Sequence, residues 1–362
     1  MINKMVILHI ASIQDDKCSG VSSIVPKHIL YQQKYEQVAL WNLFDYIPAE
    51  INTCYLFSMH TRLEILPPPF DKPDLVVFHE IYRAAFLRIY KDVLKYDIPY
   101  VIVPHGSLTK ISQNKKIIKK KIANFLLFNS FIDNAKKINY LSIQEKQNSA
   151  FKKVDSFIST NGVEVNALTP EDFKKDGIVI TYIGRIDILH KGLDIMVLAT
   201  KSIESFLRDN SVQINIYGPG NINQINKLNN TIINNNLNDI IKLNDKVVGK
   251  RKEDILLNST FYIQSSRSEG MPVGILEALS FGIPCIITEG TNLGDFVNNY
   301  DAGWVSKTNA DALSEKIREA IENIDTFKQK SDNAKRLVKE KFDWEKITTN
   351  VLDEFSLIVK GE

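Results

Sequence analysis

The feature that most restricts how this chain can fold is a regular alternation of short β-branched runs with longer amphipathic stretches. The first half carries "MVILHIA" (5–11), "QVALWNL" (37–43), "TCYLFSM" (53–59), "DLVVFHE" (74–80), "PYVIVPHG" (99–106), "KINYLSI" (137–143) and "DSFIST" (155–160). Segments with helical spacing separate several of them, such as "RAAFLRIYKDVLKY" (83–96). Runs that are apolar at consecutive positions suit strands buried on both faces, and the intervening helical segments supply the cover that parallel strands need. The expectation is an α/β chain of βα units.

The second half repeats this order with "IVITYIGR" (178–185), "QINIYGPG" (213–220), "DIIKLND" (239–245), "TFYIQSS" (260–266) and "IPCIITEG" (283–290). A length of 362 residues exceeds what one core usually organises, so two doubly wound domains are expected. The turn-rich segment "NGVEVNALTPEDFKKDG" (161–177) reads as the linker. The expected division is 1–165, then 166–341, with 342–362 as a trailing amphipathic helix. Ligands of open α/β sheets bind at the carboxyl ends of strands, so chemistry is expected between residues of both halves.

Bulk properties exclude several classes. Lys and Arg number 45 against 43 Asp and Glu, a net charge of +2, which is not the field of a nucleic-acid coat. Cys18, Cys54 and Cys285 form no CxxC or Cys/His cluster, against structural zinc and a disulfide framework and in keeping with a cytoplasmic setting. "MINKMVILHIAS" at the N-terminus reads as a first strand rather than a signal peptide. No apolar run approaches the ~18–20 residues of a membrane span, so any membrane association would be peripheral.

Two motifs carry chemistry. In "YIGRIDILHKGLDIMVLA" (182–199), a strand end leads through Gly184 to Arg185 and on to Lys191 and Gly192 at a helix start. Free N–H groups, the helix dipole and two cations together suit a phosphate, although an arbitrary Arg-x5-Lys is more often a pair of solvated charges. In "SRSEGMPVGILEALSFG" (266–282), Pro272 suits a helix start and Gly282 its C-terminal cap, which puts Glu269 in the preceding loop and Glu277 in the second turn. Glu269 can accept hydrogen bonds from a polyhydroxylated ligand and Glu277 from ribose, while the backbone from Gly270 through Met271, Pro272 and Val273 to Gly274 can approach phosphate oxygens because the glycines leave it uncovered. Taken singly, each acid reads as a solvated helix or loop charge. "VPHGSLT" (103–109) sets His105 after a buried strand, and "DKCSGVSS" (16–23) offers a turn at Gly20 without the GxGxxG spacing of a dinucleotide site.

Together, "SGVSS", "VPHGSLT", "TNGVE" (160–164), "YIGRID…HKGLD" and "SEGMPVGILEALSFGIPCIIT" resemble glycosyltransferase family four, retaining nucleotide-sugar enzymes of the GT-B fold with two Rossmann-like domains. The resemblance spans nearly the whole chain, and its Glu-x7-Glu element is the most specific part. It implies Arg185 and Lys191 at the donor diphosphate, Glu277 at the ribose, Glu269 at the transferred sugar, Gly20 near the phosphates and His105 beside the donor sugar. It also implies that "FDWEKITTNVLDEF" is the helix returning to the N-terminal domain. The first loop departs from many members, having one glycine where they have a pair.

The implied reaction is transfer of a sugar from a UDP- or GDP-sugar to a saccharide hydroxyl with retention, without metal or other cofactor. For the acceptor, "NKKIIKKKIANFLLFNSFI" (114–132) places Lys115, Lys116, Lys119, Lys120 and Lys121 beside an apolar run. This segment reads equally as a surface for anionic lipid or as a solvated lysine face over a core helix. The first reading, with the resemblance, points to a lipid-linked saccharide acceptor in bacterial surface-polysaccharide assembly at the inner face of the cytoplasmic membrane. A nucleotide-sugar 2-epimerase shares the architecture, and a non-catalytic sugar-binding protein is a further alternative.

Overall fold

The computed structural model describes residues 4–15, 20–58, 60–114, 117–170 and 177–361. The chain divides into two compact units, one of residues 1–161 with 344–362 and the other of residues 162–343. The first boundary thus falls four residues before the expected one and the second two residues after it. The first lies where the strand Ser156–Ile158 gives way to irregular chain, and the second in the break between helices Phe327–Lys341 and Trp344–Lys360.

The first unit is built on strands β1 (Val6–Ala11), β2 (Gln37–Asn42), β3 (Cys54–Leu56), β4 (Leu75–His79), β5 (Tyr100–Val103), β6 (Lys137–Tyr140) and β7 (Ser156–Ile158). They form one sheet in the order β3-β2-β1-β4-β5-β6-β7, with every pairing parallel. β1 and β4 are buried at every position, which explains why their sequences are apolar, His9 and His79 excepted, rather than alternating. Phe78, Phe86, Tyr100 and Phe131 pack edge to face or stacked in the core on one side of this sheet. The terminal helix Trp344–Lys360 belongs to this unit: Trp344 stacks on Tyr31 and meets the edge of His28, and Lys137 pairs with Glu354 at 3.0 Å.

The second unit contains β8 (Ile178–Ile183), β9 (Val212–Tyr217), β10 (Ile241–Asn244), β11 (Phe261–Gln264), β12 (Cys285–Thr288) and β13 (Gly303–Ser306). Their order is β10-β9-β8-β11-β12-β13, again all parallel. β13 escaped the sequence reading because "GWVS" has four residues, one of them β-branched, and opens on glycine. In each unit the strand order reverses beside the first strand, at β1/β4 and at β8/β11. Loops leaving neighbouring strands there run apart and open a crevice at the carboxyl edge.

Candidate active site

In the second unit, both sequence motifs emerge at the reversal point. Gly184 and Arg185 directly follow β8, and the segment from Ser265 to Glu269 directly follows β11. The first loop is anchored by its backbone. Gly184 N–H donates to the Tyr217 carbonyl at 2.9 Å, Ile186 N–H to that of Pro219 at 2.7 Å, and the Tyr182 hydroxyl to that of Arg185 at 3.0 Å. The Arg185 side chain stays 61% exposed, with Asp187 at 3.9 Å as its ion-pair partner. A fixed backbone with a largely exposed guanidinium, held only by a long ion pair, suits a residue whose further partner is a ligand.

Lys191 behaves differently. Its ammonium lies 2.6 Å from Glu269 Oε1, with 15% and 10% of the two side chains exposed. The same oxygen accepts from Ser266 Oγ at 2.7 Å and Gln264 Nε2 at 3.1 Å. Glu269 Oε2 has no hydrogen bond among the described residues. The carboxylate is therefore locked by one oxygen and offers the other. Glu277 repeats the arrangement, with Oε1 2.6 Å from Lys252 and Oε2 unengaged among the described residues. Sequence reasoning missed Lys252, since "GKRKEDILL" (249–257) looks like an ordinary charged helix, and only the fold brings it to Glu277.

Several further residues hold these loops in register. Arg267 forms a bidentate pair with Asp194, both contacts at 2.7 Å, and donates to the Leu189 carbonyl at 2.8 Å, joining the loop after β11 to the loop and helix after β8. Asn292 donates to the Glu269 and Gly270 carbonyls, and Glu269 N–H donates to the Gly290 carbonyl at 2.9 Å. Such partners are remote in sequence, so no spacing rule could find them.

Helix Val273–Ser280 begins after buried Met271 and Pro272, and Pro272 supplies no side-chain cap. Ile275 N–H donates to the Pro272 carbonyl at 3.2 Å, the N–H groups of Val273 and Gly274 have no partner within the helix, and the dipole adds positive potential at the same end. Gly274 has a structural reason for being glycine: a Cβ there would lie 2.4 Å from the Tyr262 hydroxyl, which itself donates to the Ile183 carbonyl. Its missing side chain seats the helix against the ends of β8 and β11.

In the first unit, His105 follows β5 in the left-handed region, with φ of 48° and Gly106 next at 81°. Buried Glu145 fixes this turn. One carboxylate oxygen accepts from Gly106 N–H at 2.5 Å and the other from Leu141 N–H at 2.7 Å. His105, itself half-buried, also contacts buried His79, which contacts buried His9, a chain of imidazoles that the sequence reading did not anticipate. Burial pushes His9 down to about 3, His105 to about 3 and His28 to about 4, and lowers His79 strongly. Gly20 opens helix Gly20–Gln32, and no atom of the described residues lies within 4 Å of where a Cβ would stand.

The lysine segment is also in the first unit. Lys115 and Lys116 lie outside the described residues. Lys119 and Lys121 are exposed, whereas Lys120 turns inward to the Ser112 carbonyl at 2.6 Å, with its ammonium 4.9 Å from the Tyr82 ring centre. The helix Ile117–Ala123 buries no residue, so a lysine face over a core helix does not describe it. Instead Ile118, Ile122, Phe125, Leu126 and Leu127 are exposed, Phe125 to 80% and Ile118 to 73%. No described helix is long and apolar enough to cross a membrane.

Comparison with known proteins fits this layout. Residues 167–337 match the model of the family "Glycosyl transferases group 1", nearly the whole second unit. An uncharacterized glycosyltransferase of Methanocaldococcus jannaschii is 28% identical over 262 residues, 71% of this chain and 68% of that protein. HepE of Anabaena, solved in complex with UDP, superposes with a TM-score of 0.76 at 14% identity over 97% of this chain and 100% of that one. The fold is GT-B. Sucrose-phosphate synthase of Thermosynechococcus elongatus has the same architecture, with a TM-score of 0.72 at 14% identity over 99% of this chain and 100% of that one. The family match and the archaeal relative support glycosyltransferase activity for this GT-B chain.

Proposed function

We propose that this protein transfers a sugar from a nucleoside diphosphate sugar to a saccharide hydroxyl, with retention of anomeric configuration and without a metal ion. The observation that carries the reading is the pair of half-engaged carboxylates, Glu269 and Glu277, on either side of an uncapped helix start. Each has one oxygen held by a lysine and one left to accept from hydroxyls. Two hydroxyl-accepting groups separated by a source of positive potential match a ligand with a sugar, a diphosphate and a ribose in series. Glu269 takes the sugar, Glu277 the ribose, and Arg185, Lys191 and the loop from Gly270 through Met271 and Pro272 to Val273, with the Gly270 and Val273 N–H groups as donors, the diphosphate. HepE, which shares the fold, binds UDP, and the donor proposed here is a UDP- or GDP-sugar.

As the bond from the anomeric carbon to the leaving oxygen breaks, negative charge grows on the diphosphate. Arg185, Lys191 and the helix dipole stabilise that charge more in the transition state than in the bound donor, which removes the need for a metal. The acceptor hydroxyl attacks from the face that the diphosphate leaves. His105 lines the sugar in this reading, and Gly20 leaves room for the phosphates. The group 1 match does not favour a 2-epimerase.

A lipid-linked saccharide is the proposed acceptor. Between Lys110 and Ile132 there is no acidic residue, and exposed Lys119 and Lys121 adjoin the exposed apolar ridge from Ile118 to Leu127. Cations that attract anionic headgroups beside side chains that enter the acyl boundary are the two requirements of a peripheral membrane surface. The role follows as surface-polysaccharide assembly at the inner face of the cytoplasmic membrane. Binding to anionic vesicles should fall for Phe125→Glu/Leu126→Glu, and equal binding by that variant would remove the surface.

The catalytic reading is tested by thermal shift with UDP-, GDP- and ADP-sugars, where a donor at 100 times its Kd stabilises by about 2.7 kcal/mol. The stabilising donor is then supplied with saccharide acceptors in excess chelator, and the product's anomeric configuration is read by NMR. An inverted linkage, or activity abolished by chelation and restored by a divalent cation, would overturn the mechanism.

A further inference from the structure

Helix Gly249–Leu257 carries the chain from the edge strand β10 back to β11, past the two strands that stand between them in the sheet. On this helix Lys252 has no acid of its own within reach, because the residues three and four away are Val248, Gly249, Ile255 and Leu256. The acids beside it in sequence, Glu253 and Asp254, pair with Lys250 instead, at 3.6 Å and 3.2 Å. Lys252 finds its partner 25 residues away on helix Val273–Ser280, where its ammonium lies 2.6 Å from Glu277 Oε1. The two side chains are 24% and 27% exposed.

Glu277 is the only charged residue of its helix, five of whose eight residues are buried. Nothing on that helix can hold the carboxylate. The residues three and four away are Val273, Gly274, Ser280 and Phe281, and the Ser280 hydroxyl donates to the Glu277 main-chain carbonyl at 2.7 Å. The two carboxylates of the site therefore differ in how they are fixed. Glu269 Oε1 has three donors, Lys191, Ser266 and Gln264, so losing one leaves two. Glu277 has Lys252 alone among the described residues.

We infer that Lys252 is the positioning residue that sets how strongly the site distinguishes a ribonucleotide from a deoxyribonucleotide. A glutamate side chain turns about three bonds. With Lys252 on Oε1, the other oxygen stands in one place as an acceptor before the nucleotide arrives. Without Lys252 the carboxylate becomes ordered only as a hydroxyl binds, and that ordering subtracts from what the hydroxyl contributes. A nucleotide lacking the hydroxyl has neither the gain nor the loss, so the effect falls on selectivity. This rests on the proposal that Glu277 receives the ribose, and it adds the residue on which that contact depends. Both helices belong to the second unit.

Isothermal titration calorimetry on the full chain tests this, with UDP and GDP each beside its 2′-deoxy and 3′-deoxy forms. The preferred nucleotide should bind wild type about 10- to 100-fold more tightly than the form lacking the hydroxyl that Glu277 takes, the worth of one hydrogen bond to a charged group. Lys252→Met keeps the apolar stem and removes the ammonium. The lost positive charge weakens all forms alike, so the readout is the ratio of ribo to deoxy affinity, which should shrink by about 2- to 10-fold, the ordering of one side chain. Lys252→Arg, which still donates to Oε1, should restore it. A packing role would lower the melting temperature and leave the ratio as in wild type, and an unchanged ratio in Lys252→Met overturns the inference. Glu277→Ala separates the two levels. If it abolishes a preference that Lys252→Met keeps, the ribose placement stands and the role of Lys252 falls. If wild type has no preference, or Glu277→Ala retains it, the ribose placement fails and the inference with it.

Discussion

Replacing Lys191 with methionine separates what the Lys191–Glu269 pair does for stability from what it does for the reaction. The two groups meet at 2.6 Å with 15% and 10% of their side chains exposed, so water does little to screen the Glu269 charge once its partner is removed. Breaking one side of a buried pair costs ~3–5 kcal/mol. Ser266 and Gln264 still donate to the same oxygen, which places Lys191→Met at the low end, about 3 kcal/mol. For a unit of this size that is a fall of about 6–12 °C in the transition of the second unit, read by scanning calorimetry. Lys191→Met/Glu269→Gln removes the stranded charge and should recover to within about 1 kcal/mol of wild type. Turnover should not recover, staying on the order of 10²-fold down because the diphosphate has lost a cation. A single variant within about 1 kcal/mol of wild type, or a double variant no more stable than the single, would refute the buried-pair reasoning.

Three further outcomes are expected. Arg185→Ala should lower kcat by about 10²–10³-fold while leaving thermal stability unchanged, because the side chain is largely exposed and its loop is held by backbone bonds. Gly192→Ala should destabilise the second unit severely, since φ is 62° and a Cβ would lie 1.9 Å from the Ser265 carbonyl oxygen; soluble yield and calorimetry report it. Acid should unfold the first unit through its histidines. His9 and His28 have native values of about 3 and 4 against 6.5 when unfolded, so the unfolded chain binds more protons between those values. Their contribution is complete above about pH 6.5 and is lost as pH falls, by about 2 kcal/mol each at pH 5, and a His9→Gln variant should show a shallower decline from pH 6.5 to 4 in urea denaturation.

Much of the architecture was legible because it follows from local chemistry. A strand covered on both faces is apolar at nearly every position, and β1, β4, β5 and β12, interrupted only by His9, His79 and Thr288, have that signature and are fully buried. β13 has too few residues to display any period. The site divides in the same way. Arg185, Lys191, Glu269 and Glu277 stand at strand ends and a helix start, positions that punctuation by Gly and Pro makes visible. Lys252, Arg267 and Asn292 do not, since each acts across a separation created by the fold.

Glu145 shows the limit most plainly. "SIQE" (142–145) has the spacing of a helix cap, and Ser142 does accept from Glu145 N–H at 3.0 Å, a local fact. Yet the carboxylate goes to Leu141 and, across 39 residues, to Gly106 N–H, where it shapes the turn that presents His105. The histidines behave alike. His9, His79 and His105 sit in three separate strand segments, and nothing in their neighbours distinguishes them from satisfied core residues. Periodicity and turn chemistry by themselves determined that this chain forms two parallel α/β sheets and where its reactive loops leave them. Which oxygen of each carboxylate is engaged, and which imidazoles meet, were decided only by packing, because a hydrogen bond depends on tenths of an ångström between groups that the sequence keeps far apart.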